Sequence, residues 1–87
     1  MSDWTWEYIS HDLGESLAPS VRAEVERIAA ELAVVNSMVY LEGAAYQSLS
    51  PGLRVEYGSA TDGTHVMLSF LTDVRGERIV VVSVSSL

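Results

Sequence analysis

The stretch LRVEYGSATDGTH, residues 53–65, decides how the second half of the chain folds. Apolar and polar residues alternate from Leu53 to Tyr57, which is typical of a strand with one buried face. Asp62 followed by Gly63 is a strong signal for a two-residue type I′ hairpin turn. The stretch therefore predicts two antiparallel strands joined by a tight turn.

Two turns set the predicted register of the sheet. The type I′ turn places Thr61 opposite Thr64. A later three-residue connection places Asp73 opposite Glu77, with Gly76 in the left-handed conformation. Both registers send one apolar set to the same face, and a one-residue slip would move that set to the other face. The predicted buried face consists of Leu53, Val55, Tyr57, Val66, Leu68, Phe70, Val80, Val82 and Val84.

The first half of the chain predicts a strand and two helices. Trp4, Trp6 and Tyr8 share one face of an N-terminal strand, where core packing and an aromatic platform for a partner are both open. Ser10 suits the N-cap of a helix of one or two turns. Pro19 suits the first turn of a long helix. Its apolar stripe consists of Val21, Val25, Ile28, Ala29, Leu32 and Val35.

The helical pattern dissolves over residues 36–51, where we expect a loop. Tyr40 and Tyr46 in this segment suit packing against the fold or the lining of a pocket. The whole pattern predicts a single domain, residues 1–87, of the α+β class with two layers. An N-terminal strand, one short and one long helix and a three-stranded antiparallel meander follow one another, and the long helix packs on the apolar face.

Charge and composition narrow the classes of function. The chain has 12 acidic residues, five arginines and no lysine, and its net charge of −7 repels phosphate backbones. It has no cysteine, and its two histidines lie far apart, so we expect neither a metal site nor a cofactor. No apolar run approaches about 20 residues, and the N-terminus lacks the pattern of a signal peptide. We therefore expect a cytoplasmic protein that does not contact a membrane.

The predicted register leaves polar residues on the opposite, open face of the sheet. Arg54 and Glu56 lie on its first strand, and His65 opens the second. Small residues on a twisted sheet leave a shallow concavity, and Arg54 and His65 lie on its margin. These two are the catalytic candidates. The candidate binding residues are Tyr46, Glu56, Ser83 and Ser85.

Five segments together follow the pattern of a known family: WTWEY (4–8), PSVRAEVERI (19–28), PGLRVE (51–56), HVMLSF (65–70) and IVVV (79–82). The order of elements resembles the RelE/ParE toxin superfamily of bacterial type II toxin–antitoxin systems. The resemblance implies a RelE-like fold, antitoxin binding and cleavage of ribosome-bound mRNA. Arg54 falls at the family's Leu-Arg position and would stabilise phosphate charge. His65 replaces the arginine that opens the next strand and would act as general acid or base.

Two features depart from that family. Its members are typically basic, whereas this chain is acidic, and no basic or aromatic residue follows Ser83. Two hypotheses therefore stand. The first is a ribosome-dependent mRNA endonuclease. The second is a RelE-like fold that has lost catalysis and binds an antitoxin-like or regulatory partner, or pairs with itself through open strand edges. The acidic charge disfavours RNA as a partner and favours the second hypothesis.

Overall fold

A computed structural model of the chain describes residues 4–40, 53–73 and 75–86. Its elements are β1 (Thr5–Tyr8), α1 (His11–Glu15), α2 (Pro19–Tyr40), β2 (Arg54–Ser59), β3 (His65–Asp73) and β4 (Arg78–Ser86). The strands form one mixed sheet of order β1-β4-β3-β2. Strand β1 is parallel to β4, whereas β3 is antiparallel to both β4 and β2. The predicted α+β class is confirmed. In the described part of the chain, no helix is long and apolar enough to cross a bilayer.

Helix α2 packs on the sheet through the predicted stripe. Val21, Val25, Ile28 and Ala29 are buried, and Leu32 packs partly buried against them. The stripe ends earlier than predicted, because Val35 is exposed. The helix itself continues to residue 40, so the loop predicted for residues 36–51 is wrong over its first five residues. Residues 41–52, including Tyr46, lie outside the described residues.

The N-terminal aromatic residues belong to the core. Trp4 is buried, and Trp6 and Tyr8 pack against the core cluster. The rings of Trp6 and Tyr8 contact each other edge to face, with their centroids 5.3 Å apart. The packing hypothesis for these residues is therefore confirmed. The Ser10 hydroxyl accepts the Leu13 N–H at 3.4 Å and caps helix α1, as the sequence predicts.

The hairpin of β2 and β3 pairs one residue away from the predicted register. The Ala60 N–H donates to the Thr64 carbonyl at 2.8 Å, and the Gly63 N–H donates to the Ala60 carbonyl at 2.9 Å. Gly63 has a φ of 89°, so the turn is a three-residue connection closed by a left-handed glycine. The predicted pairing of Thr61 with Thr64 is therefore wrong. Because the slip is one residue, the side chains of β2 exchange faces.

This exchange exposes residues that the sequence places in the core. Leu53, Val55 and Tyr57 are 58, 46 and 73% exposed. Ala60, on the side of the helix, is buried instead. The larger apolar side chains of this strand therefore face away from α2.

Gly58 explains why the exchange is tolerated. It pairs with buried Val66 on the helix side of the sheet. A Cβ at Gly58 would lie 2.3 Å from Glu24 Oε2 and 2.8 Å from Ile28 Cδ1. A side chain at this position fits only if Glu24 and Ile28 move aside.

The second turn also differs from the prediction. Asp73 pairs with Arg78 rather than Glu77, and the left-handed residue is Glu77, with a φ of 52°, rather than Gly76. Asp73 accepts the Gly76 N–H at 3.0 Å and the Arg78 Nε–H at 2.8 Å. The predicted register opposes two carboxylates, which is unfavourable, whereas the observed one opposes an acid and a base. These two hydrogen bonds also lower the pKa of the Asp73 carboxyl, the Gly76 N–H most strongly.

A register shift between Ser69 and Phe70 moves the rest of β4 by another residue. Phe70 pairs with Val81, whereas Leu68 pairs with Val84. The buried residues of β4 next to the turn are therefore Ile79 and Val81, and the predicted Val80 and Val82 are only partly buried. Val84 still packs against the core, as predicted.

The close approach at Gly58 generates a stability prediction. Gly58→Ala should lower the free energy of unfolding by about 1–3 kcal/mol, since Glu24 can move aside only by giving up its own hydrogen bonds. Urea denaturation measures the change. The matched control is Ser59→Val, which adds volume to the neighbouring exposed side chain and should change stability by less than about 0.5 kcal/mol. Equal, small effects of both substitutions would show that β2 does not face the helix through Gly58.

Candidate functional site: the open face and free edge of the sheet

The face of the sheet turned away from α2 carries two rows of residues that cross the strands. Val55, Ser69 and Ser83 form one row. Tyr57, Met67 and Ser85 form the next. We call this surface, together with Leu53 and His65, the open face, because no described helix covers it. Met67 is 39% exposed, so apolar side chains of two strands meet solvent side by side.

A concavity of about 220 Å³ lies at one end of the open face, and its lining residues are Tyr57, His65, Val66, Met67 and Ser85. The structure thus brings together two predicted site residues, His65 and Ser85. Ser83, another predicted binding residue, lies one row away on the same face and shares a hydrogen bond with Ser69. Sequence reasoning missed Tyr57 as a site residue, because the predicted register placed its side chain in the core.

Arg54 does not join this concavity. It pairs with buried Phe70, whereas His65 pairs with Ser59 at the other end of β2. Five residues of strand separate the two ends, or roughly 16 Å at about 3.3 Å per residue. Paired residues share a face, so Arg54 lies on the helix side and His65 on the open face. The prediction that both belong to one open face is therefore wrong, and the structure does not bring the two catalytic candidates together.

Glu56 also lies on the helix side, where it pairs with Leu68, so its predicted place on the open face is wrong. It borders a groove of about 290 Å³ between α2 and the edge of β2. The groove is lined by Arg27, Ile28, Glu31, Leu32, Val35, Glu56 and Tyr57. Apolar residues from three turns of helix and two carboxylates thus lie beside the edge strand.

The carboxylate of Glu24 joins the helix to the edge strand. It accepts two hydrogen bonds from Arg27, at 2.9 Å from Nε and 2.8 Å from Nη2. Its Oε2 also accepts the backbone N–H of Ser59 at 3.2 Å. Only 10% of the Glu24 side chain is exposed. The hydrogen bonds from Arg27 lower the pKa of this carboxyl, and the Ser59 N–H adds to the effect.

Sequence reasoning missed Glu24, although a signal was present. Glu24 lies three residues after Val21 and four before Ile28, so it falls within the apolar stripe of the helix. An acid in that position needs a partner, and Arg27 follows at the spacing of a helical neighbour.

Most of the cationic groups are engaged within the chain. Arg22 binds Glu26 and Arg27 binds Glu31, each at 2.8 Å and four residues further along helix α2. Arg78 binds Asp73 at 2.8 Å and also contacts Glu7, so it links three strands. These arginines are poorly placed to receive a phosphate. Among the described residues, no three acids or histidines are arranged to hold a metal ion.

No protein-family model matches the chain, and no curated protein or solved structure is significantly similar to it. The resemblance to the RelE/ParE superfamily therefore remains a prediction from the sequence pattern. The geometry of the open face, of the groove and of the outer edge of β2, the last strand of the sheet, is therefore the basis for a proposed function.

The Glu24 ion pair predicts how stability depends on pH. Its folded-state pKa lies below the ordinary glutamate value of about 4.3, so the stabilisation is complete above that value and is lost as the pH falls through the folded-state pKa. Glu24→Gln keeps an acceptor for Ser59 but loses the charge, and should cost about 1–2 kcal/mol at pH 7. The difference from wild type should shrink as the pH falls below about 4.3.

Urea denaturation between pH 7 and pH 3 measures this difference. Glu31→Gln is the matched control, because it removes the other carboxylate of Arg27, which is 67% exposed, and should change stability little at any pH. An effect of Glu24→Gln that is no larger than that of Glu31→Gln would show that the buried carboxylate does not hold the edge strand.

Proposed function

We propose that this chain is a non-enzymatic interaction module of RelE-like fold. Its open face would bind an amphipathic segment of a partner protein, as a toxin of this superfamily binds its antitoxin. The observation that carries the proposal is the exposure of Leu53, Val55, Tyr57 and Met67 on one face of the sheet. Contiguous exposed apolar side chains on a small protein mark an interaction surface.

The charge of the chain indicates the chemistry of the partner. The net charge is −7, and Arg22, Arg27 and Arg78 are neutralised by carboxylates of the chain itself. A complementary partner therefore carries basic side chains beside an apolar stripe. A strand or helix of the partner would contact the open face through its apolar stripe. Its basic side chains would then lie next to the acidic surface of this chain.

The arrangement of elements supports the RelE-like part of the proposal. A strand and two helices precede three strands that run antiparallel to one another in chain order. The first strand returns to the sheet beside the last one. The order of the elements along the chain is the one on which the resemblance rests, and an antitoxin-like partner is the corresponding expectation.

Open-face substitutions test the proposal. The photoreactive amino acid p-benzoylphenylalanine in place of Tyr57 should crosslink the partner in cells of the source organism, and mass spectrometry identifies it. Calorimetric titration of the purified pair should then show that Tyr57→Ser and Met67→Asp each weaken binding by about 10-fold or more. The matched control is Ala30→Asp, on the exposed side of α2, which should leave the affinity unchanged. An affinity equally insensitive to all three substitutions would exclude the open face as the binding surface.

An RNA-cleaving toxin is the second candidate, and the concavity at His65 favours it. His65, Tyr57 and Ser85 provide an imidazole and two hydroxyls around about 220 Å³. Because Arg54 is distant, the described residues supply no arginine to this concavity.

The growth of induced cells separates the two candidates. Because we propose a non-enzymatic module, His65→Ala should leave the growth curve of an induced bacterial host the same as with the wild-type chain. The other histidine provides the control His11→Ala, on the exposed helix α1. Growth arrest by the wild-type chain that His65→Ala relieves, and His11→Ala does not, would replace the module with a catalytic toxin.

A further inference from the structure

Strand β2 is an edge of the sheet, and its free side has a defined pattern of backbone groups. The Ala60 N–H points inward to Thr64, and the Ser59 N–H points outward to Glu24. Antiparallel pairing alternates these directions residue by residue. The N–H and C=O groups of Val55 and Tyr57 therefore point outward, and no other described element hydrogen-bonds to them.

Two side chains of this strand carry charges that no described residue neutralises. In the described structure, neither Arg54 nor Glu56 forms an ion pair. They flank Val55, one on each side, and have opposite signs. By contrast, Arg27 and Arg78 are each paired with carboxylates within the chain.

These charges discriminate between the ways in which the edge can pair with a second copy. In a symmetric antiparallel pair, residues whose backbone N–H and C=O groups point outward face each other. The two-fold axis therefore passes level with a residue of the strand and not between two residues. An axis at Arg54 opposes two arginines, and an axis at Glu56 opposes two glutamates, which is unfavourable in both cases. An axis at Tyr57 places Val55 opposite Ser59, whose N–H is already bound to Glu24.

An axis at Val55 has none of these conflicts. Arg54 then faces Glu56 of the partner subunit, twice by symmetry, on the helix side of the sheet. On the open face, Leu53 faces Tyr57 of the partner subunit, so apolar residues meet apolar residues. The outward backbone groups of Val55 meet their own copies in a hydrogen-bonded pair.

We propose that the chain forms a two-fold homodimer in which β2 pairs antiparallel with β2 of a second copy, centred on Val55, to give one continuous sheet. Charge on an edge strand ordinarily prevents such pairing. Here the two opposite charges are arranged so that two copies of the strand are complementary in the register centred on Val55. In the neighbouring registers, centred on Arg54 or Glu56, like charges oppose each other. The dimer uses the open face only at its margin, where Leu53 and Tyr57 meet, and leaves the remainder accessible, so it does not depend on a partner protein bound at that face.

The groove beside the edge is consistent with the same occupant. The two-fold axis stands across the sheet, so the α2 helices of both copies lie on one face of it. The groove of each copy, with exposed Val35 on its helical wall, then borders the interface between the copies. Apolar side chains that meet solvent in one copy would thereby be partly covered in the pair.

Charge reversal tests the dimer in the purified chain alone. Sedimentation equilibrium should give the mass of two chains for the wild type. Arg54→Glu and Glu56→Arg should each raise the dissociation constant by about 10-fold or more, because each opposes like charges at two sites. The double variant R54E/E56R should return to the wild-type value, since it restores both pairs with their signs exchanged. Circular dichroism verifies that every variant is folded.

A cysteine at the axis tests the register. The chain has no cysteine of its own, so a single Val55→Cys introduces the only thiol. Facing Cα atoms of a hydrogen-bonded antiparallel pair are about 5.5 Å apart, within the range that a disulfide spans. Mild oxidation should therefore crosslink Val55→Cys at least about 10-fold faster than Thr61→Cys, a control at the exposed hairpin tip.

Each contrary outcome overturns the dimer in a distinct way. A wild-type chain that stays monomeric at millimolar concentration excludes it. A dimer that neither responds to charge reversal nor crosslinks through position 55 excludes this edge and register. Because no second protein is present in these experiments, their failure leaves the binding of a partner at the open face unaffected, and the reverse also holds.

Discussion

The carboxylate of Glu24 controls how helix and sheet meet, and the rest of the structure depends on that contact. It holds Arg27 on its own helix and the Ser59 N–H on the edge strand at the same time. To reach Ser59 it must pass over Gly58, which has no side chain to obstruct it. The face that β2 turns toward the helix is therefore the one that carries Gly58 and Ala60. Every larger apolar side chain of that strand is left on the other side.

The elements of the fold could be predicted from the sequence, but the registers between strands could not. The stripe of α2 and the cap at Ser10 are local patterns, and the sequence predicts both, although the buried stripe ends before the predicted Val35. Registers depend on turn length, and Asp62-Gly63 suits two- and three-residue turns alike. The longer turn is supported by Asp62, which accepts the Thr64 N–H at 3.0 Å and the Ser20 hydroxyl at 2.9 Å. Ser20 is 42 residues away in sequence, so no local pattern reveals this contact.

The one-residue difference between the predicted and observed pairing of β2 with β3 also determined how much of the candidate site could be predicted. The sequence assigns His65 and Ser85 correctly to the open face. The residues of β3 lie on their predicted faces, and beyond the register shift between Ser69 and Phe70 the residues of β4 do so as well. It assigns Arg54 and Tyr57 to the wrong faces because they lie on the strand that slipped. Hydrophobic alternation fixes which residues of a strand share a face. It does not say which face is covered, and in this strand the covered face is the polar one with the glycine.

That inversion has a consequence for how the molecule exists in solution. Strand β2 turns Gly58 toward the helix, while Val55 and Tyr57 face solvent. A monomer would gain more from burying the larger side chains, at roughly 25 cal/mol for each Å² of apolar surface removed from water. The contact made by Glu24 prevents this within one copy. Among the described residues, nothing covers the apolar surface of β2. A second chain can bury this surface, either across the open face or along the edge of β2, and in the proposed dimer the flanking charges of opposite sign select a second copy at the edge.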